Sequence, residues 1–151
     1  MNLEKTYIKS LPYSKVPKAA AQLEYELQTY IGSKYEFTPK TNSITWLTNT
    51  VEISMDLVPN GSTLADRFSD DPQDIPQWVW DEMRRIIKIL YYEEGIEYID
   101  ITPYNFMIDS NDKIWLIDYG HAYYTDQSKP INWFLCEFIY GEVKSFNPDF
   151  A

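Results

Sequence analysis

Asp100, Asn105 and Asp118 set three oxygen-bearing side chains close together along one stretch, GIEYIDITPYNFMIDSNDKIWLIDYGHAYY (Gly95–Tyr124). Carboxylate and amide oxygens are the ligands that hard divalent cations take, and a carboxylate beside a hydroxyl can accept its proton. Such a set can hold a metal ion and a phosphate together. The same stretch contains the means to place them. Two apolar runs, FMID (Phe106–Asp109) and KIWLID (Lys113–Asp118), flank the turn-forming Ser110-Asn111-Asp112. This predicts a loop feeding a β-hairpin, with polar oxygens at both ends of the paired strands.

Upstream, Thr6–Leu11 (TYIKSL) alternates apolar and polar residues and predicts a short strand carrying Lys9. Pro12 and Pro17 bracket a connection. Ala20, Leu23, Leu27, Tyr30 and Ile31 then share one helical face, with Gly32 as the stop and Glu24 and Glu26 on the flanks of the stripe. Strands follow at Ile44–Thr48 and Val51–Leu57, the second with Val51, Ile53, Met55 and Leu57 on one side. Pro59-Asn60-Gly61 ends it, and Ser62 caps a short helix, Thr63–Phe68.

Pro76 opens the strongest helix, which runs to about Glu94 and stops at Gly95. Its apolar stripe is Val79, Met83, Ile86, Ile87, Leu90 and Tyr91, and Arg84, Arg85 and Lys88 read as a solvated face. After the hairpin, Pro130 introduces a last helix with Ile131, Phe134, Leu135, Phe138 and Ile139 on one face, ending near Gly141. The tail beyond it carries no periodic pattern.

The 151 residues suit one domain, and 44% hydrophobic with 17% aromatic content indicates a folded chain. A net charge of −10 argues against nucleic acid or anionic membranes as partners, because phosphates would be repelled. The single Cys136 excludes an intramolecular disulfide and a Cys-cluster metal site. No apolar leader and no run long enough to span a bilayer is present, so the expectation is a soluble, cytoplasmic protein with no membrane contact.

Asp100 and Asn105 fit the D-x-x-x-x-N of a kinase catalytic loop, and Asp118-Tyr119-Gly120 stands on the next hairpin strand, where D-F-G would lie. With a long amphipathic helix before the loop and two strands between the motifs, the sequence resembles the protein-kinase-like superfamily. Val51–Val58 (VEISMDLV) and PNGSTLADRF are similar to the last N-lobe strand, the hinge and the short helix after it. The helix of Glu24 and Glu26 is similar to the regulatory helix whose Glu pairs with the phosphate-binding Lys. Lys9 is the preferred lysine, with Lys15 and Lys18 as alternates, and Glu24 is preferred over Glu26.

The resemblance implies an α+β, reduced kinase-like fold forming a single domain over residues 1–151. A small antiparallel sheet with one helix makes a reduced N-lobe, about residues 1–58. A truncated, mostly helical C-lobe, residues 59–151, carries the catalytic loop and hairpin. Asp100 would accept or orient the proton of the attacking hydroxyl, and Asn105 and Asp118 would supply oxygens to Mg²⁺. Lys9 and Glu24 would serve the phosphates of ATP, and backbone groups of Asp56, Leu57 and Val58 its adenine edge.

The sequence also departs from that pattern. No Gly-rich loop precedes Lys9, Tyr98-Ile99 replaces His-Arg before Asp100, and no A-P-E follows Gly120. Thr102 stands where protein kinases carry Lys, a choice closer to small-molecule kinases and minimal members of the superfamily. His121, the only His, is expected to pack or hydrogen-bond rather than catalyse. Two functions follow. One is a minimal kinase-like protein that binds ATP–Mg²⁺ and transfers the γ-phosphate to a hydroxyl or hydrolyses ATP. The alternative is a pseudokinase-type module that binds a protein with little or no catalysis. The C-terminal apolar helix either caps the surface left by the truncation or forms a partner or homodimer interface.

Overall fold

The structure, a computed structural model, describes residues 5–150. β1 (Thr6–Pro12), β2 (Thr41–Trp46) and β3 (Thr50–Asp56) form an antiparallel sheet in the order β1-β3-β2. β3 takes the centre because its alternation buries Val51, Ile53 and Met55. Leu57 does not extend that face. It lies beyond the strand and is exposed, and its N–H bonds the Lys5 carbonyl at 2.7 Å as the chain leaves the sheet.

α1 (Lys18–Lys34) packs on this sheet. Leu27 and Ile31 bury against the core, while the Gln28 amide donates to the Pro39 carbonyl at 3.0 Å. Gly32 is not its stop. The helix continues to Lys34, and Gly32 sits where a Cβ would lie 3.1 Å from the Pro39 oxygen and 3.3 Å from the Lys40 Cα. Here glycine permits close backbone approach rather than termination.

β4 (Ser62–Thr63) leads into α2 (Leu64–Arg67), whose cap is Thr63 rather than Ser62: its hydroxyl accepts from Asp66 N–H at 3.1 Å. α3 (Gln77–Lys88) widens into a π-helical turn (Ile89–Glu93) and ends at Gly95, whose φ of 66° suits the left-handed terminator. Val79, Met83, Ile86, Ile87 and Leu90 are buried along the stripe, as its period requires, and Trp80 joins them.

Arg84 departs from the solvated-face reading. It is buried, its guanidinium donates to the Phe138 and Val143 carbonyls at 2.8 Å each, and it lies over the Phe138 ring. Its planar fork can satisfy two main-chain oxygens while its stem packs in the core, which explains why a cation is tolerated on that face.

Beyond α3, β5 (Ile96–Glu97) precedes the loop of Asp100, and β6 (Phe106–Ile108) and β7 (Ile114–Leu116) form the expected hairpin, with β4 on its edge. β8 (Tyr123–Tyr124) returns to pair with β5. α4 (Trp133–Tyr140) starts later than Pro130 because Asn132 caps it, accepting from Phe134 and Leu135 N–H at 3.0 and 3.1 Å. Phe134, Leu135, Phe138 and Ile139 are buried in the common core beside α3, so the apolar face of α4 is spent inside the protein. No helix among the described residues is long and apolar enough to cross a membrane.

Glu94 joins α1 to the helical part of the fold. Its carboxylate accepts from the Tyr30 hydroxyl at 2.7 Å, from the Tyr35 hydroxyl, and from Lys34 Nζ at 2.8 Å. Burial alone would push this carboxyl up, but the bonds from Lys34, Tyr35 and Tyr30 outweigh it and hold the pKa below the ordinary value. A depressed carboxylate stabilises the fold above its unfolded pKa, and that contribution disappears as pH falls through the folded pKa. Glu94→Gln is therefore expected to lower the melting temperature at pH 7. The gap from wild type should shrink as pH falls below the ordinary carboxylate range, which melting curves across pH would check.

Candidate active site

Lys9 is the meeting point of the three segments. β1 carries it inward, and its Nζ donates to Glu24 Oε2 of α1 at 2.5 Å and to Asp118 Oδ1, just past β7, at 3.0 Å. The alternates lie elsewhere: Lys18 sits over the Tyr13 ring, and Lys15 is exposed. Glu26 is likewise exposed, and among the described residues it is bonded by Gln22 alone, at 3.0 Å.

The two carboxylates hold Lys9 unequally. The Glu24 side chain is 3% exposed and that of Asp118 is 37% exposed. Exposed ion pairs contribute about 0–1 kcal/mol, whereas removing one partner from a buried pair costs about 3–5 kcal/mol. Glu24 thus fixes the ammonium, and Asp118 is the more exchangeable contact. Burial alone would lower the Lys9 pKa, yet the charges of Asp118 and Glu24 reverse this and raise it, so Lys9 is a cation at neutral pH. Burial also pushes the Glu24 carboxyl up, against the pull of Lys9.

Asp118 has a φ of 61°, a left-handed conformation that a short polar side chain can adopt. Its neighbours hold it there. The Tyr98 hydroxyl reaches the Ile117 and Asp118 carbonyls at 2.6 and 2.7 Å, and Gly120 N–H donates to Asp118 Oδ1 at 3.1 Å. Tyr119 is buried and shares a 2.6 Å hydrogen bond with the Thr38 hydroxyl. Gly120 has a steric reason: a Cβ there would lie 3.0 Å from Glu24 Oε1 and 3.1 Å from Asp118 Oδ1.

The loop of Asp100 is fastened to the same strand. Asn105 O accepts from Ile117 N–H at 2.9 Å, and the Asn105 side-chain amide donates to the Asp100 main-chain carbonyl at 2.9 Å. Burial raises the Asp100 pKa, and the nearby Asp118 charge adds to it against the lowering by Asn105, His121 and Lys9. With its nitrogen engaged, the Asn105 amide oxygen has no partner among the described residues; nor does Asp118 Oδ2. An uncharged and a charged oxygen are thus left free, a donor set that fits Mg²⁺.

Beside Lys9 and Asp118 opens a cavity of about 320 Å³. Met55, Val58, Met107 and Ile117 line it, together with Asp56 and Leu57 of the segment leaving β3. The Val58 carbonyl accepts from Gly61 N–H at 3.2 Å, while the Val58 N–H has no partner among the described residues. The sequence reading missed the part played by Tyr98, whose only signal was an aromatic hydroxyl shortly before Asp100. It also missed Met107 and Ile117, which the alternation of the hairpin strands could have placed opposite the sheet. His121 is exposed, with its ring against Phe150.

A family model described as the RIO domain matches residues 14–137. The chain belongs to the RIO domain family. RIO domains are part of the protein-kinase-like superfamily, a group of ATP-binding folds that includes atypical protein kinases. No curated protein matches the sequence closely enough to count as a relative. Within this RIO domain the match begins after Lys9 and ends inside α4, so β1 and the tail lie outside it.

Tyr98→Phe removes one hydroxyl and leaves two main-chain carbonyls without their donor. It is expected to destabilise the RIO domain by about 1–3 kcal/mol. Urea unfolding checks the magnitude, and an unchanged midpoint would show that Asp118 is held without Tyr98.

Proposed function

We propose that this RIO domain binds ATP with Mg²⁺ and transfers the γ-phosphoryl group to a hydroxyl acceptor or to water. One observation carries the reading: Lys9, Glu24 and Asp118 converge within 3.0 Å at an apolar cavity of about 320 Å³. An adenine ring would fill the apolar part, with the free Val58 N–H and the main-chain oxygen of Asp56 at its edge. Asn105 and Asp118 would hold Mg²⁺, which would supply positive charge to offset that of the phosphate oxygens.

The chain's own groups then divide the work. Lys9 lies beside the phosphates and supplies positive charge in a protein whose net charge is −10. Glu24 keeps that ammonium from following the more exposed Asp118. Asp100 takes the proton of the attacking hydroxyl at its carboxylate, and a pKa raised by burial makes it a better base near neutrality. Thr102 adds no charge at the γ-position, which leaves charge stabilisation there to Lys9 and the metal.

A second reading, a module that binds a protein with little catalysis, draws on a different observation. Trp133 and Tyr140 of α4 are exposed, and the Tyr140 ring lies 6.4 Å from that of the exposed Tyr92. That reading expects retention of a partner whether or not nucleotide binds.

A thermal-shift titration with ATP, with and without Mg²⁺, tests the first reading. Ligand at a hundred times its dissociation constant should stabilise the fold by about 2.7 kcal/mol. The shift should require Mg²⁺ and diminish in Asp118→Asn. A wild type that ATP–Mg²⁺ leaves unshifted would remove the nucleotide site. If binding holds, phosphate release or transfer should fall by about 10²–10⁴-fold in Asp100→Ala; undiminished turnover would show that Asp100 is not the base.

A further inference from the structure

The tail after α4 carries no periodic pattern, yet it is tied to the protein at Val143, Phe146, Asn147, Asp149 and Phe150. Arg84 holds the Val143 carbonyl at 2.8 Å, and the Phe146 ring packs against Trp80 at 5.1 Å between centroids. Asn147 is fully buried. Its side-chain amide donates to the Ile99 carbonyl at 2.8 Å, and its backbone N–H donates to the Ile101 carbonyl at 2.9 Å. These are the residues on either side of Asp100. The Asn147 side-chain oxygen accepts from Asp149 N–H at 3.0 Å, and Asp149 accepts from the Trp133 indole N–H at 3.0 Å. Phe150 ends the run against His121, immediately after Asp118-Tyr119-Gly120.

We propose that residues 143–150 form a strap that holds the Asp100 loop in its working position, with Asn147 as the positioning residue. The proposal rests on the nucleotide reading above. Asn147 donates to both carbonyls that flank one carboxylate, so a shift of Asn147 bears on the turn that carries Asp100. Ile101 N–H bonds back to Ile99 O at 2.9 Å, so the segment is a tight turn with few internal bonds of its own. An outside clamp is what a turn of this kind lacks. The RIO match ends at residue 137, so the clamp is built by a part of this chain beyond the matched region.

The test compares full-length wild type with Asn147→Ser, which is too short to reach Ile99 but can still accept from Asp149 N–H. The isosteric Asn147→Asp serves as a second variant. The first readout is amide exchange. Exchange at Ile101 should rise by about tenfold, the equivalent of roughly one lost hydrogen bond, while α3 and Ile108 stay as in wild type. The second readout is the broadening of the Ile101 amide resonance by Mn²⁺ with a non-hydrolysable ATP analogue. It should weaken in the variants at unchanged analogue affinity, since it reports the distance from metal to loop rather than stability.

Equal broadening in wild type and variants, or exchange rising evenly through the whole protein, would overturn the strap. Loss of the fold in both variants would overturn it too, making Asn147 a core tether instead. Absence of any broadening in wild type would overturn the metal–nucleotide reading, and the strap's function with it. That failure is distinct, because it appears before any substitution is made.

Discussion

Everything at this site depends on a lysine held between two carboxylates of unequal burial. Glu24 is buried on α1 and cannot lose its partner cheaply, so the position of α1 sets the position of Lys9. α1 is in turn set by Gln28 against the sheet and by Glu94 gathering Tyr30, Lys34 and Tyr35 at its far end. Asp118 is held by Lys9 more weakly, through a side chain that solvent reaches. In the proposed function that asymmetry is useful. The contact that must be shared with a metal is the one that is cheapest to rearrange.

Asp118 compensates for its exposed side chain with an over-determined backbone. A left-handed residue outside glycine survives only where its surroundings leave it no alternative. Tyr98 supplies that from below, through two carbonyls, and Gly120 from the side, by having no Cβ to collide with Glu24. Tyr119 locks the following residue into the core through Thr38. Three successive residues, Asp118-Tyr119-Gly120, thus have three different physical reasons: a free oxygen, a buried anchor and a missing side chain.

How much of this the sequence disclosed follows from the range of each interaction. β1, β3, α3 and the hairpin were legible because alternation and helical period are local patterns written in burial. By contrast, β2 starts three residues before the expected Ile44, and the two-residue strands β4, β5 and β8 are too short to show a period. The contact of Lys9 with Glu24 and Asp118 came within reach because three motifs matched one family in one order. Gly32 and Arg84 were misread because their reasons are tertiary: one makes room for the backbone at Pro39, the other finds carbonyls on a helix and tail far along the chain. Asn147 was invisible for the same cause. One residue whose side-chain amide and backbone N–H bond two carbonyls more than forty residues upstream leaves no period, no charge pair and no turn signature.

In the proposed function Lys9, fixed by Glu24, is the cation that receives the nucleotide phosphates. Calorimetric titration of Mg²⁺–ATP into wild type and Lys9→Met, each confirmed folded by its melting curve, tests it most directly. Methionine keeps an unbranched apolar stem, one atom shorter, and removes the ammonium with its bonds to Glu24 and Asp118, which is why the melting curve accompanies the titration. Wild type should release binding heat, and Lys9→Met should bind about 10–100-fold more weakly, the loss of one charge-assisted bond. Equal affinity in the two proteins would contradict the account.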